Sequence, residues 1–233
     1  MRHVYSSLEQ RLQVLSENPY FSMLPLSALR KLAAETELRS YEKDEVIFLE
    51  GEECAGLFIL HRGRVKLSRF SLSGREIIIR VLNQGATFNE VPVLDKGPHA
   101  VNAIAIEESQ LWVVSASPIR ELLVQYPQMS EKIILNLAQN LRMFVELVNN
   151  LSFYQVIQRL AHYLLLLPAD PASGKKVTKV TQIQLAAQLG TVREVLARAL
   201  RDLEQTGAIR VSRGEIEVSN EAALRSWINP TTE

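Results

Sequence analysis

Residues 181–209, TQIQLAAQLGTVREVLARALRDLEQTGAI, hold two short amphipathic segments separated by one glycine and closed by another. Ile183, Leu185, Ala186 and Leu189 recur with the spacing of one helix face, and Gly190 supplies the backbone freedom for a sharp turn. Thr191 stands where an N-cap belongs, with Glu194 three residues on to complete a capping box. In the second segment Val195, Leu196, Ala199, Leu200 and Leu203 are expected to point inward, leaving Arg193, Glu194 and Arg198 on the outward, N-terminal side. The spacing predicts a helix-turn-helix. Residues 208–212 and 215–219 then read as two short strands turned at Arg213-Gly214, so the motif is expected to carry a wing.

A recognition helix sets its N-terminal side chains against base edges in the major groove, where Arg donates two bonds to guanine and Glu accepts from cytosine. Helix pairs of this shape also occur in chains that never meet nucleic acid, so charge has to decide. Between residues 175 and 213 there are eight Lys and Arg against three acids, whereas residues 35–60 carry eight acids against two bases. A neutral chain with one basic end fits a duplex-binding domain joined to a non-binding one. The candidate DNA-contacting set is Thr181, Gln182, Thr191, Arg193, Glu194, Arg198 and Arg213.

At 233 residues the chain has room for two domains, each with its own core. The longest apolar run, at residues 163–168, is far short of a membrane span, and the N-terminus lacks a signal-peptide pattern, so a cytoplasmic protein without membrane partners is expected. The single cysteine, Cys54, permits no intrachain disulfide and is expected to be a free thiol.

From residue 38 to 115 the pattern changes to short apolar or alternating runs, EVIFL, GLFIL, RVKLSRF, EIIIRVL and LWVVS, punctuated by glycines. That predicts a compact β-roll, with hairpin turns at His61-Arg62-Gly63 and Leu72-Ser73-Gly74. After Pro127 a long helix is expected in which Ile134, Leu141 and Val148, interleaved with Leu137, Phe144 and Leu151, form a heptad seam. The seam could pack on the chain's own roll or on a twin helix from a second copy; the twin is the expected cover, giving a homodimer whose two recognition helices lie one duplex turn apart. The fold class is therefore α+β: a sensor β-roll with flanking helices at 1–126, a dimerisation helix at 127–152, and a winged helix-turn-helix at 153–233.

This order of parts resembles the catabolite activator / fumarate-nitrate regulator (CRP/FNR) superfamily. The resemblance covers nearly the whole chain, through YEKDEVIFLEGE, GLFILHRGRVKL and GREIIIRVLNQGATFNE in the roll and through the 181–209 segment. It implies a cyclic-nucleotide-binding-like domain on a dimeric promoter-binding regulator that contacts RNA polymerase, usually to activate. Arg193, Glu194 and Arg198 fall where the cyclic-AMP-responsive branch carries its Arg-Glu-x-x-x-Arg base readers, which implies an inverted repeat with TGTGA-like half-sites. The roll departs from that branch. Its Gly-Glu and Arg-Ser pairs, which hold ribose and cyclic phosphate, are replaced by Asn89-Glu90 and His99-Ala100. Without the Arg a buried phosphate loses a bidentate, charge-assisted pair, so no cofactor is expected and cyclic AMP is disfavoured. The leading expectation is an unidentified small-molecule effector or none; the alternative is an anion receptor using Glu90 and His99, the latter when protonated.

Two other classes fit the sequence less well. Haem needs an axial ligand among four scattered histidines, and no attachment motif accompanies them. A cupin-like metal enzyme needs several convergent histidines and a carboxylate, but only His61 and His99 lie in the roll, well separated. With no GxSxG, HExxH or P-loop pattern, neither catalytic nor metal-binding residues are expected.

Overall fold

A computed structural model describes residues 1–72, 74–171, 173–212 and 214–228, with the side chains of 150–153 outside the description. The chain divides into two compact units, Met1–Arg69 with Ile79–Arg142, and Phe70–Ile78 with Met143–Glu233.

The first unit opens with β1 (Arg2–Val4), α1 (Leu8–Glu17), α2 (Leu26–Ala34) and β2 (Thr36–Tyr41), followed by β3 (Val46–Phe48), β4 (Leu57–Arg62), β5 (Val65–Phe70) and β6 (Glu76–Leu82). It continues through β7 (Thr87–Phe88), α3 (Glu90–Asp95), β8 (Asn102–Ala105), β9 (Ser109–Val114), α4 (Ala116–Gln125) and the long α5 (Pro127–Phe153), whose residues up to Arg142 belong to this unit. Two sheets result, ordered β1-β2-β9-β4-β7 and β3-β8-β5-β6. Side chains alternate faces along a strand, and here both faces of the central strands are covered. Phe58 and Leu60 of β4, with Leu111 and Val113 of β9, join Tyr41, Phe48 and Phe88 inside the roll. Leu57, Ile59, Trp112 and Val114, on the opposite faces, pack with Leu15, Phe21, Leu32, Ile119 and Met129 under the helices. Double burial is why GLFIL and LWVVS read as continuous apolar runs.

The expected hairpin at residues 61–63 is not one. β4 and β5 belong to different sheets, and the residues between them form a corner that passes from one sheet to the other. The turn at 106–108 makes the reverse crossing from β8 to β9, and the two corners touch: Ile106 N–H donates to Arg64 O at 3.0 Å. Ser109 Oγ donates to the same carbonyl at 3.2 Å. The second expected hairpin joins β5 and β6, which are neighbours in their sheet; its Ser73 lies outside the described residues.

Around α5 the apolar residues fall on more than one face. Met129 and Ile133 are buried in the first unit's core, and Leu137 packs partly against it. Ile134, Leu141, Phe144 and Val148 are exposed, as is Val145. Leu137 therefore belongs only in part to the outward stripe. The side chain of Leu151 lies outside the described residues.

The second unit continues from α5 through α6 (Val156–Leu165), β10 (Val177–Thr178), α7 (Gln182–Gln188), α8 (Arg193–Gln205), β11 (Ile209–Ser212), β12 (Glu215–Val218) and α9 (Glu221–Ile228). Its core gathers Leu160 and Leu164 of α6, Leu185 and Leu189, Leu196, Leu200 and Leu203 of α8, Ile209 and Ile216 of the wing, and Leu224 of α9. β10 pairs antiparallel with β12 and β12 with β11, so the wing has a third strand that is too short to stand out in sequence.

Candidate nucleic-acid interface

The second helix of the pair, α8, follows directly on the closure of α7. Thr181 is the N-cap of α7: its Oγ accepts from Gln184 N–H at 3.2 Å, and its own N–H donates to Gln184 Oε1 at 3.0 Å. The signal for this capping box, Thr181-x-x-Gln184, was present in the sequence. At the other end Gly190, with φ of 62°, donates to Ala187 O at 3.3 Å while Thr191 N–H donates to Ala186 O at 2.9 Å. This pair of bonds is a Schellman closure with glycine in the left-handed position.

That closure corrects the expectation for Thr191. Its N–H is engaged in ending α7, and the N-cap of α8 is Val192, which makes no side-chain cap bond. The third helical position is then Val195, not Glu194, so the expected box cannot form. Two further assignments change. Ile183 and Val195, expected in the core, are exposed, while Leu185, Ala186, Leu189, Leu196, Ala199, Leu200 and Leu203 are buried. At 3.6 residues per turn each lies roughly 100° around its helix from the centre of the buried arc, on its flank.

Arg193, Glu194 and Arg198 are exposed at the N-terminal half of α8, and Arg201 continues the exposed side. Gln182 is half-buried at the start of α7. Arg213 lies outside the described residues.

The basic window at 175–213 stops short of the residues that answer it. Lys175 pairs with Glu217 at 2.6 Å, Lys176 with Glu221 at 2.8 Å and Lys179 with Glu215 at 2.9 Å. In the wing Arg210 sits opposite Glu217 in the β11–β12 register. Among the described residues no ion pair engages Arg193, Arg198 or Arg201. Among the described residues, three of the arginines without an ion pair thus lie along α8, while the lysines of the domain are paired.

Two positioning residues were not legible in sequence. Arg159 of α6 donates through Nε to Leu189 O at 3.0 Å and through Nη1 to Tyr154 O at 2.8 Å, tying the chain before α6 to the end of α7. Glu204 Oε1 accepts from Val211 N–H at 2.9 Å, fastening the wing to α8.

Of the residues named for an effector, Asn89 and His99 engage each other, while Glu90 has a separate partner. Asn89, with φ of 77°, donates through Nδ2 to Gly56 O at 2.6 Å, and its Oδ1 lies 2.9 Å from His99 Nδ1. Ala55 N–H approaches His99 Nε2 at 3.4 Å, and the ring stacks on Phe48 with centroids 3.8 Å apart. His99 is 2% exposed, and burial lowers its pKa, so the neutral Nδ1–H form satisfies both ring nitrogens. Glu90 is buried as well and accepts from Tyr20 Oη at 2.7 Å. Burial raises the Glu90 pKa, and burial followed by the Glu90 charge raises that of Tyr20. Cys54 is half-buried beside Asn89, its thiol pKa pushed up by burial, and Ala100 is exposed.

These shifts have opposite signs for stability. A carboxyl whose pKa is raised on folding stabilises most below its unfolded pKa, near 4.5, and that contribution is lost as pH rises through the folded value. A histidine whose pKa is lowered stabilises above 6.5 and loses that contribution as pH falls below it. Glu90→Gln keeps an acceptor for Tyr20 and removes the titration. Its melting temperature should exceed that of the parent at pH 8, with the gap closing toward pH 4.5; a gap independent of pH would show that Glu90 does not titrate in this range.

His61 is exposed, edge-on to Trp112 at 5.9 Å on the helix-facing side of β4, whereas His99 lies against Phe48 within the roll. The wall of the sheet separates the two, and among the described residues no three His, Cys, Asp or Glu side chains converge as metal ligands. Among the same residues no helix is long and apolar enough to cross a membrane.

Family models match in two places: a cyclic nucleotide-binding domain at residues 38–126 and a Crp-like helix-turn-helix domain at 158–227. The chain is 31% identical over 186 residues to the cyclic AMP receptor protein of Thermus thermophilus, covering 80% of this chain and 85% of that one. It is 27% identical to the CRP-like cAMP-activated global transcriptional regulator of Mycobacterium tuberculosis, covering 91% and 97%. A crp/fnr-family regulator from Eubacterium rectale shares the fold with a TM-score of 0.78 at 20% identity, over 90% of this chain and 97% of that one. With a β-roll, a long helix and a Crp-like helix-turn-helix in that order, the chain belongs to the CRP/FNR family of transcription regulators.

Proposed function

We propose that this protein is a homodimeric, sequence-specific regulator that binds an inverted repeat through α8 and acts without cyclic AMP. The observation that carries the DNA half is the row of exposed arginines on α8 that no acid among the described residues pairs, when each of the three domain lysines is paired. In this reading residues 1–126 serve as the sensor, 127–152 as the dimer helix and 153–233 as the reader. Arg193, Glu194 and Arg198 read bases, and Thr181, Gln182, Thr191 and Arg213 meet the backbone. Bound beside a promoter, the dimer contacts RNA polymerase and activates.

The effector half rests on His99. Where the cyclic-nucleotide branch carries an arginine for the phosphate, this chain has a neutral ring committed to Asn89 and Phe48. Protonating Nε2 would set a new N–H against the N–H of Ala55, so the ring is a poor anion ligand. The Glu90 carboxyl is likewise held by Tyr20.

Sequence selection from random duplexes, followed by affinity measurement with and without cyclic AMP, tests both halves. A palindrome with TGTGA-like half-sites is expected, bound equally well without the nucleotide. Arg193→Ala and Arg198→Ala should each cost about 1–3 kcal/mol and relax one base pair per half-site. An unchanged sequence preference in both variants would remove the base-reading assignment. Tightening by cyclic AMP would instead favour a receptor in which Glu90 and His99 hold the ligand, the reading suggested by the matched cyclic nucleotide-binding domain.

A further inference from the structure

Among the described residues of α7 and α8, two large aliphatic side chains face water, Ile183 at 66% and Val195 at 42% exposure. Valine is a weak helix former and its exposed methyl groups gain nothing from water, so neither helix stability nor core packing accounts for Val195. Its position is informative. Val195 follows Arg193 and Glu194 directly and precedes Arg198 by three residues. At 3.6 residues per turn it lies roughly 60° around the helix from Arg198 and about 4.5 Å along the axis. That displacement compares with the ~3.4 Å step between bases on one strand. β-Branching holds Val to one preferred rotamer in a helix, so its methyl groups are presented with little entropy left to lose.

The thymine C5-methyl is the apolar feature of the major groove, and a small aliphatic side chain is its natural contact. We propose that Val195 is a specificity-determining residue, packing against the C5-methyl of a thymine that lies within one or two base pairs of the one read by Arg198. The inference rests on the proposed binding of DNA through α8. Ile183, at the start of α7, belongs to the helix that crosses the sugar-phosphate backbone and has no such role.

Replacing thymine by deoxyuridine removes that methyl and leaves the pairing edge intact. Each thymine of the selected half-site is exchanged in turn, and binding is measured for the full chain and for Val195→Ala and Ile183→Ala. At one position per half-site the exchange should weaken the parent about fourfold, the weight of one buried methyl group. Val195→Ala should bind both duplexes equally, while Ile183→Ala keeps the fourfold difference. If no exchange affects the parent, or Val195→Ala keeps the loss, the proposal is overturned while DNA binding stands. If the parent selects no sequence at all, the reading beneath it falls as well.

Discussion

A chain carrying Leu141→Glu and Val148→Glu should be monomeric by light scattering at micromolar concentration and should bind the inverted repeat at least 100-fold more weakly. Ile134, Leu141 and Val148 of α5 are 63%, 64% and 58% exposed, and with Val145 and Phe144 they form one outward stripe. Fully burying such a side chain contributes roughly 1.5–3 kcal/mol, so a seam of this size, matched by a second copy, suffices for a stable pair. Two glutamates per helix would face their own copies across the seam, where like charges stripped of water repel. Each reader would then hold one half-site alone and lose the roughly 10²–10⁴ advantage of a linked second contact. Neither residue is in a core cluster, so each unit should keep its fold and the monomer its secondary structure. A variant that remained dimeric would move the interface elsewhere.

Gly63→Ala should destabilise the first unit by about 3 kcal/mol or more, lowering its melting temperature by roughly 6–12 °C for a domain of this size. Gly63 has φ of 91°, and an added Cβ would stand 2.3 Å from Ser109 Oγ, 2.5 Å from Glu108 O and 2.8 Å from Ser109 Cα. Two of these atoms are backbone, and Ser109 is fully buried with its hydroxyl bonded to Glu107 O at 2.8 Å. Relief therefore requires the two corners that exchange the chain between the sheets to separate. Gly51 isolates the conformational part of the effect. Its φ is 86° but nothing lies within 4 Å of an added Cβ, so Gly51→Ala should cost only about 1–2 kcal/mol. Equal melting temperatures for the two variants in thermal denaturation would show that the corner contact does not limit stability.

How much of the molecule was legible depended on how local its causes were. The helix pair was readable because Gly190 and the spacing of Leu185, Leu189, Leu196, Leu200 and Leu203 act within a few residues. The roll was readable because doubly buried strands leave unbroken apolar runs at 57–60 and 111–114. The hairpin at 61–63 was misread because a glycine turn looks the same in sequence whether its strands pair or part; only the register with β9 and β8 separates the cases. The basic window misled in a similar way. The partners of Lys175, Lys176 and Lys179 come from β12 and α9, just beyond its edge, and only the fold brings them together.

By itself the sequence determined the helix pair, the long helix and the main strands of the roll and wing, and which side chains are candidates to read a base, because backbone geometry and periodicity are set between near neighbours. The tertiary structure decided which of those residues are free. It took Thr191 into the end of α7, turned Val195 and Ile183 outward, assigned part of the heptad seam to the core, and committed Asn89 and His99 to each other, His99 to Phe48 and Glu90 to Tyr20. Each outcome depends on groups tens of residues apart or on the packing of a whole face, where the cost of leaving a buried polar group unpaired or an apolar one wet selects among arrangements that local sequence leaves equivalent.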